Sequence, residues 1–214
     1  MTEQTELDDD VAVPSRRRFL RGSGALMGGA ALAGGLAGRE VIEKAAKEFG
    51  WQKGQKAPPD RGYGFAFARY KSLAAYCAIA TEVGVDRETG RPRLVRAVAA
   101  VDAGQVVNPD GLTNQIEGAI VQSMSWTLYE AVTFDDTRIT SIDWQTYPIL
   151  RFNAVPDSIV VHIIDRPGQP FLGSGETGQG PAAASIANAI ANATGKRLRD
   201  LPLTRKKIKD AIDA

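Results

Sequence analysis

Cysteine and histidine are almost absent from this chain of 214 residues, which contains one of each, Cys77 and His162. A single cysteine excludes an internal disulfide and any metal or iron–sulfur site that draws several cysteines from this chain. A single histidine likewise excludes a histidine-rich metal site. His162 stands in "SIVVHIID", a pattern that favours an ordinary strand position over a catalytic role.

Strong net charge and long apolar runs are also missing. The net charge at pH 7 is +1, so no overall electrostatic field favours nucleic acid, and we expect no nucleic-acid partner. The longest weakly apolar stretch, residues 22–38, is rich in glycine. It is too short and too weakly apolar for a transmembrane helix, which needs ~20 strongly apolar residues.

The first 38 residues have the features of an export signal. An acidic, polar start leads into "SRRRFLR", where Arg16 and Arg17 resemble the core of a twin-arginine signal. Residues 31–33, "ALA", offer a cleavage site. We therefore expect residues 1–38 to be a disordered N-terminus plus signal, and the protein to be periplasmic, or membrane-associated through an uncleaved signal. A disordered basic arm is the alternative.

The first half of the remaining chain changes from a helical to a strand pattern. Apolar residues at positions 42, 45, 46 and 49 predict a helix over residues 39–51, followed by a linker to residue 60. Turn-forming residues in "RETGRP" predict a hairpin, and Asn108 and Pro109 mark the start of a long helix. The predicted strands are "YGFAFARY", "LAAYCAIATEVGVD" and "RLVRAVAAVDAG".

The second half adds shorter elements. The pattern predicts short strands around residues 131–134 and 144–150, a clear strand over 157–165, and a last helix in "TRKKIKDAID". The sum is an α+β fold, a mostly antiparallel sheet with packed helices, over residues 61–214.

A helix rich in small residues, "AAASIANAIANATG", precedes the last one and ends at Gly195. Ala183, Ala187 and Ala191 recur every four residues. We expect this alanine face to pack closely against another element.

A glycine-rich loop, "GSGETGQGP", carries the pattern G-x-G-x-x-G at Gly173, Gly175 and Gly178. A dinucleotide-binding loop needs a strand directly before its first glycine and an alternating strand–helix run after it. Here the predicted strand ends near residue 165, and too little chain follows for such a run. Nucleotide binding by residues 173–180 is therefore the less favoured alternative.

The loop also places Glu176 between glycines, just before a helix that starts near Pro181. The dipole of that helix favours a negative charge at its N-terminus. Such a glutamate serves as a general base if a substrate reaches it. The other interpretation is an exposed loop acid with a capping role.

Three segments together resemble a known family: "VDAGQVVNPDGLTNQIEGAIVQSMSWTLYE", "WQTYPILRF" and "GSGETGQGPAAASIANAIANATGKRLRDLPLT". Over residues 61–203 the chain resembles the C-terminal part of the molybdopterin-binding large subunit of the xanthine dehydrogenase/aldehyde oxidase family. The resemblance is to the branch that includes nicotinate dehydrogenase and isoquinoline 1-oxidoreductase large subunits. It implies hydroxylation of aldehydes or N-heteroaromatic compounds with water-derived oxygen at a molybdenum–molybdopterin cofactor.

The resemblance also implies roles for individual residues. The family's G-x-G-E motif matches residues 173–176, which makes Glu176 the catalytic general base. The Q-x-E-G motif matches residues 115–118, which makes Gln115 a cofactor contact, while Glu117 and Gln122 are weaker candidates. Around the base, the residues expected to bind the cofactor through the irregular backbone are Gly175, Thr177 and Gly178.

Family subunits are much longer than this chain, so we expect a truncated domain whose molybdopterin site is incomplete and shared. The implied partners are an iron–sulfur small subunit that carries the iron–sulfur clusters, a cytochrome c subunit, and a polypeptide with the missing portion of the large subunit. Without them the chain is expected to be inactive. The alternative is a catalytically inactive remnant of such a subunit.

Overall fold

A computed structural model of the protein describes residues 27–214. The twin-arginine motif, with Arg16 and Arg17, lies outside the described residues. The helices are α1 (Met27–Phe49), α2 (Pro109–Leu128), α3 (Gln179–Thr194) and α4 (Arg205–Asp213). The strands are β1 (Arg61–Arg69), β2 (Tyr76–Val85), β3 (Pro92–Asp102) and β4 (Ser158–Ile163).

The four strands form one sheet in the order β1–β2–β3–β4. The pairs β1–β2 and β2–β3 are antiparallel, and β3–β4 is parallel. The predicted hairpin joins β2 to β3: the Asp86 carboxylate accepts hydrogen bonds from the amides of Glu88 and Thr89, at 2.9 and 3.0 Å. The mostly antiparallel α+β fold is confirmed.

The sheet is covered on both faces, which explains why β2 and β3 are buried along most of their length. On one face α2, α3 and α4 enclose the main core around Ile79, Ile116 and Ile186. On the other face the C-terminal part of α1 places Val41 and Ala45 against the sheet. Burial of these apolar side chains stabilises the layers.

Helix α3 packs on β1 at very short range because β1 carries glycines there. A Cβ on Gly64 would lie 1.9 Å from the Ser185 carbonyl oxygen, and one on Gly62 would lie 2.0 Å from that of Ala189. The predicted alanine face is therefore wrong. The close contact with β1 uses Ser185, Ala189 and Ala193 of α3. The positions of Gly62 and Gly64 on β1 decide which side of the helix approaches the strand, not the spacing of Ala183, Ala187 and Ala191.

Helix α1 begins at Met27, whereas the sequence pattern predicted a helix from residue 39. The helix crosses the predicted boundary at residue 38 because alanine, leucine and methionine, which are strong helix formers, offset the glycines of this stretch. In residues 27–214, no helix has both the length and the apolar content that a membrane span requires.

Residues 131–155, here called the arm, contain neither of the two short strands predicted at 131–134 and 144–150. One isolated bridge pairs Phe134 with Ile139. The arm folds instead through side-chain-capped turns: the Asp135 carboxylate accepts the Thr137 amide at 2.8 Å, and that of Asp143 accepts the Thr146 amide at 2.9 Å. These local hydrogen bonds compete with strand pairing.

Candidate functional site

The glycine-rich loop between β4 and α3 is anchored on the turn that follows β3. The Leu172 amide donates to the Ala103 carbonyl at 2.7 Å, and the Ala75 amide donates to the Gly173 carbonyl at 3.1 Å. Gly104 has φ +71°, and a Cβ there would lie 2.0 Å from the Pro170 carbonyl oxygen. Only glycine permits this approach of the two backbones.

Helix α2 contacts the loop through side chains on one face. The Gln115 side-chain amide donates to the Gly175 carbonyl, which holds the loop to the first half of the helix. One turn further along, Ala119 faces Gly178, where an added Cβ would lie 3.0 Å from the alanine methyl. The i, i+4 spacing places both contacts on one helix face.

The same face of α2 continues to the start of α3. Gln122 accepts a hydrogen bond from the Gln179 side chain at 2.8 Å, and the Ser123 hydroxyl donates to the Gln179 carbonyl at 3.0 Å. Gln122 therefore fixes the end of the loop. This arrangement does not test whether Gln122 also contacts the cofactor, so that role stays a prediction.

Glu176 is exposed and stands three residues before α3 begins. Its carbonyl accepts the Gln179 amide at 3.2 Å, which leads the chain into the helix. Its carboxylate Oε2 accepts a hydrogen bond from the Tyr70 hydroxyl at 2.9 Å. The predicted position before a helix N-terminus is thus observed, and within residues 27–214 the other carboxylate oxygen, Oε1, accepts no hydrogen bond.

Tyr70 is the site residue that sequence reasoning missed. It follows β1 in a short turn in which Lys71 and Ser72 have φ of 48° and 61°, in the left-handed region that non-glycine residues rarely adopt. The Tyr70 amide donates to the Ala75 carbonyl at 2.8 Å, and the Lys71 ammonium lies 5.2 Å from the Tyr70 ring centroid. No local signal marks Tyr70, because β1 and the loop meet only in the folded chain.

Three backbone amides of the loop, those of Ser174, Gly175 and Glu176, donate to no acceptor within residues 27–214. The Thr177 hydroxyl is buried at 2% exposure and has no partner either. Nothing lies within 4 Å of the position that a Cβ would take on Gly173. Free amides beside open space form a cradle for anionic or carbonyl oxygens, so the loop fits the phosphate and pterin oxygens of a molybdopterin.

Other polar candidates lie elsewhere. Glu117 lines a cavity of about 700 Å³ on a different side of α2 from Gln115. Cys77 is fully buried, and burial raises the pKa of its thiol to about 12, so the thiol stays protonated. His162 Nε2 lies 3.8 Å from a Glu48 carboxylate oxygen. Among the described residues no cluster of His, Cys, Asp and Glu could hold a metal ion.

The family follows from comparison with known sequences. Residues 9–156 match the family described as the molybdopterin cofactor-binding domain. The chain belongs to this family. The matched residues include α2 and Gln115 and end before the Glu176 loop.

Curated relatives agree with this assignment. The chain is 44% identical over 158 residues to a nicotinate dehydrogenase subunit of Pseudomonas putida, a match that covers 71% of this chain and 13% of the relative. It is 31% identical over 167 residues to the beta subunit of isoquinoline 1-oxidoreductase of Brevundimonas diminuta, covering 78% of this chain and 21% of the relative. The chain therefore spans less than a quarter of either.

A solved structure shares the fold. Quinoline 2-oxidoreductase from Pseudomonas putida 86 superposes with a TM-score of 0.60 at 28% identity, over 65% of this chain and 19% of that one. The predicted resemblance to molybdopterin-binding subunits is confirmed by these matches. They do not bear on the predicted roles of Glu176, Gln115, Gly175, Thr177 and Gly178.

Proposed function

We propose that this chain supplies the Glu176 loop to the molybdopterin site of an oxidoreductase that hydroxylates aldehydes or N-heteroaromatic compounds with oxygen taken from water. The observation that carries the proposal is the geometry of Glu176. In a domain of the molybdopterin-binding family, a glycine loop presents this carboxylate beside free backbone amides, and Tyr70 holds one of its oxygens.

Glu176 acts as the general base. Its Oε2 is held by the Tyr70 hydroxyl, so Oε1 is the atom that takes the proton from the attacking hydroxyl group. When bound, the molybdenum–molybdopterin cofactor supplies the centre that accepts two electrons from the substrate.

Four residues of this chain would hold the cofactor. Gly175 contributes its free amide, and Gly178 keeps the loop close to α2. The buried Thr177 hydroxyl offers an unused donor and acceptor beside them. Gln115 binds the Gly175 carbonyl and so orients the amide that follows in the loop.

The iron–sulfur clusters and the rest of the molybdopterin site are assigned to partner polypeptides. Both curated relatives are named as subunits, which supports a complex with partner subunits. We propose that one of these partners is an iron–sulfur small subunit that carries the iron–sulfur clusters. A polypeptide with further molybdopterin-binding residues and a cytochrome c subunit complete the proposal. We place the complex in the periplasm, reached by the twin-arginine route, because of Arg16 and Arg17.

The first test is metal analysis of the protein purified from its own host together with whatever co-purifies. Molybdenum near one equivalent, with iron in a partner band and turnover of aldehydes or N-heterocycles, is the expected result. Folded protein without molybdenum and without a partner would contradict it. Glu176 would then be an inherited residue with no hydroxyl group to activate, and the chain an inactive remnant.

Affinity for NAD without molybdenum would favour nucleotide binding instead. The geometry argues against that outcome, because β4 ends at Ile163, well before Gly173. A dinucleotide-binding loop needs its first glycine directly after a strand.

A further inference from the structure

A second cavity, of about 500 Å³, lies at the opposite end of α2 from Gln115. Leu128 follows Gln115 by thirteen positions on the same helix, or about 20 Å along the helix axis. The residues that define the cavity come from the β2–β3 hairpin, the end of α2, the arm and the start of α4. They include Arg91, Leu128, Tyr129, Ile149, Arg151 and Arg205.

The three arginines of this cavity have no carboxylate partner within residues 27–214. None of Arg91, Arg151 and Arg205 forms an ion pair there, although Arg93, two positions from Arg91, is paired with Asp157. No aspartate or glutamate lines the cavity. The three side chains are exposed, and together they give this side of the domain an excess of positive charge that favours an anion.

Helix α4 adds to the positive potential. Arg205 is the first residue of α4, after the Thr204 cap, so the helix N-terminus faces the same side. The Arg205 Nε donates to the Thr89 carbonyl at 2.7 Å, which fixes this side chain against the hairpin. A Cβ on Gly90 would lie 2.4 Å from the Arg205 carbonyl oxygen, so the β2–β3 hairpin and the start of α4 pack backbone against backbone on this side of the cavity.

The floor of the cavity is apolar. Leu128 is 3% exposed and Ile149 contributes an aliphatic side chain. Tyr129 is half-buried, and burial raises the pKa of its hydroxyl, while the charge of Arg91 opposes that rise. Arg91 and Tyr129 both line this cavity.

We propose that this cavity binds a small organic anion, a carboxylate attached to an apolar ring, at a site separate from the Glu176 loop. Guanidinium groups bind carboxylates through paired hydrogen bonds and stack on ring faces. The apolar floor receives the ring. Small-molecule sites of about 300–1,000 Å³ with a few convergent polar groups have this size and composition.

The test uses the full chain without molybdenum, so its outcome does not depend on the proposed oxidoreductase function. Benzoate is titrated by calorimetry and by NMR, with uncharged benzamide as the ring control and inorganic phosphate as the charge control. Benzoate is expected to bind with a dissociation constant of about 1 mM or below. Benzamide and phosphate should each bind about tenfold more weakly or worse.

Variants assign the binding to the cavity. Arg91→Gln and Arg151→Gln should each weaken benzoate about tenfold, because each removes a charge-assisted pair. Arg199→Gln changes an exposed arginine outside the cavity and should leave the affinity unchanged. Absence of benzoate binding, equal binding of benzamide or of phosphate, or equal affinity in all three variants would overturn the proposal.

Discussion

Two irregular segments lie beside helix α2 and differ in how they are held. The glycine loop binds α2 and the β3 turn through its backbone, at Gly175, Gln179 and Leu172. The arm is tied near its C-terminal end, where the Tyr147 hydroxyl donates to Glu130 at 2.8 Å and the Leu150 amide donates to the Ser125 hydroxyl at 2.9 Å. The turns of Asp135 and Asp143 lie before these ties, and their hydrogen bonds stay within the arm.

The two segments also differ in what they expose. The loop presents free amides and one carboxylate, whereas the arm presents large apolar side chains, with Phe134 77% and Trp144 68% exposed. An exposed apolar set of this kind marks a contact surface or an aggregation hazard. Two segments without α-helix or strand can therefore expose different groups. Which groups each exposes depends on whether its hydrogen bonds go to the rest of the domain or stay within the segment.

The largest expected effect falls on the loop. In the proposed assembled complex, Glu176→Gln keeps the shape of the side chain and removes the proposed base, so turnover should fall by a factor of about 10² or more. Steady-state kinetics measures it, with Glu88→Gln in the exposed hairpin turn as the matched control. Near-normal turnover of the loop variant would remove Glu176 from the mechanism.

The next effect concerns the support of the loop. Gly104→Ala places a methyl group against the Pro170 carbonyl and should cost about 2 kcal/mol or more in the free energy of unfolding. Gly168→Ala is the matched control, because it has φ +79° but open space around it. Urea unfolding should show a loss of only about 1 kcal/mol there. Equal losses would mean that the close approach contributes nothing.

Removal of the Tyr70 hydroxyl should have a smaller effect. Tyr70→Phe loses one hydrogen bond with a net contribution of about 0.5–1.5 kcal/mol, so kcat should fall about threefold to tenfold. The KM should stay close to the original value, because the hydroxyl contacts Glu176 and not the substrate. In the Glu176→Gln background the same change should have little further effect. A full additional loss there would show that Tyr70 acts independently.

The turn of Asp143 in the arm should respond to acid. A backbone hydrogen bond from Thr146 is the largest cause that lowers the pKa of Asp143. Because the folded pKa is lowered, this turn gains stability above the unfolded value of about 3.9 and loses it as the pH falls through the folded value. Trp144 fluorescence should change in that range, and Asp143→Asn should abolish the change. An identical acid transition in the variant would assign it to another group.

The smallest effect is expected at the exposed surface of the arm. Phe134→Ser removes a side chain that is 77% exposed, so the free energy of unfolding should change by less than about 0.5 kcal/mol. Ile116→Ala, at a fully buried position of α2, should cost about 2–5 kcal/mol in the same urea experiment. A large loss for Phe134→Ser would show that the arm packs on the body of the domain in solution.

Most of the elements could be predicted because their signals are local. Segments rich in β-branched and aromatic residues predicted the strands β1 to β3, and "DSIVVHIID" predicted β4. Asn108 caps α2 as expected, accepting the Gly111 amide at 2.9 Å. Gly195 ends α3 in the left-handed conformation. The predictions failed where local patterns were weak or ambiguous, as in the arm, where turn hydrogen bonds of Asp135 and Asp143 replaced strand pairing.

For the site, the sequence by itself determined the glycine loop, the position of Glu176 before a helix and the placing of Gln115 on α2, because each depends on neighbours in the chain. Only the tertiary structure decided that Tyr70 reaches Glu176 across 106 positions, and that three arginines with no ion pair in residues 27–214 share one cavity. Such contacts join residues that are distant in sequence, so no periodicity or motif encodes them. They arise when the packing of the sheet against its helices brings separate segments together.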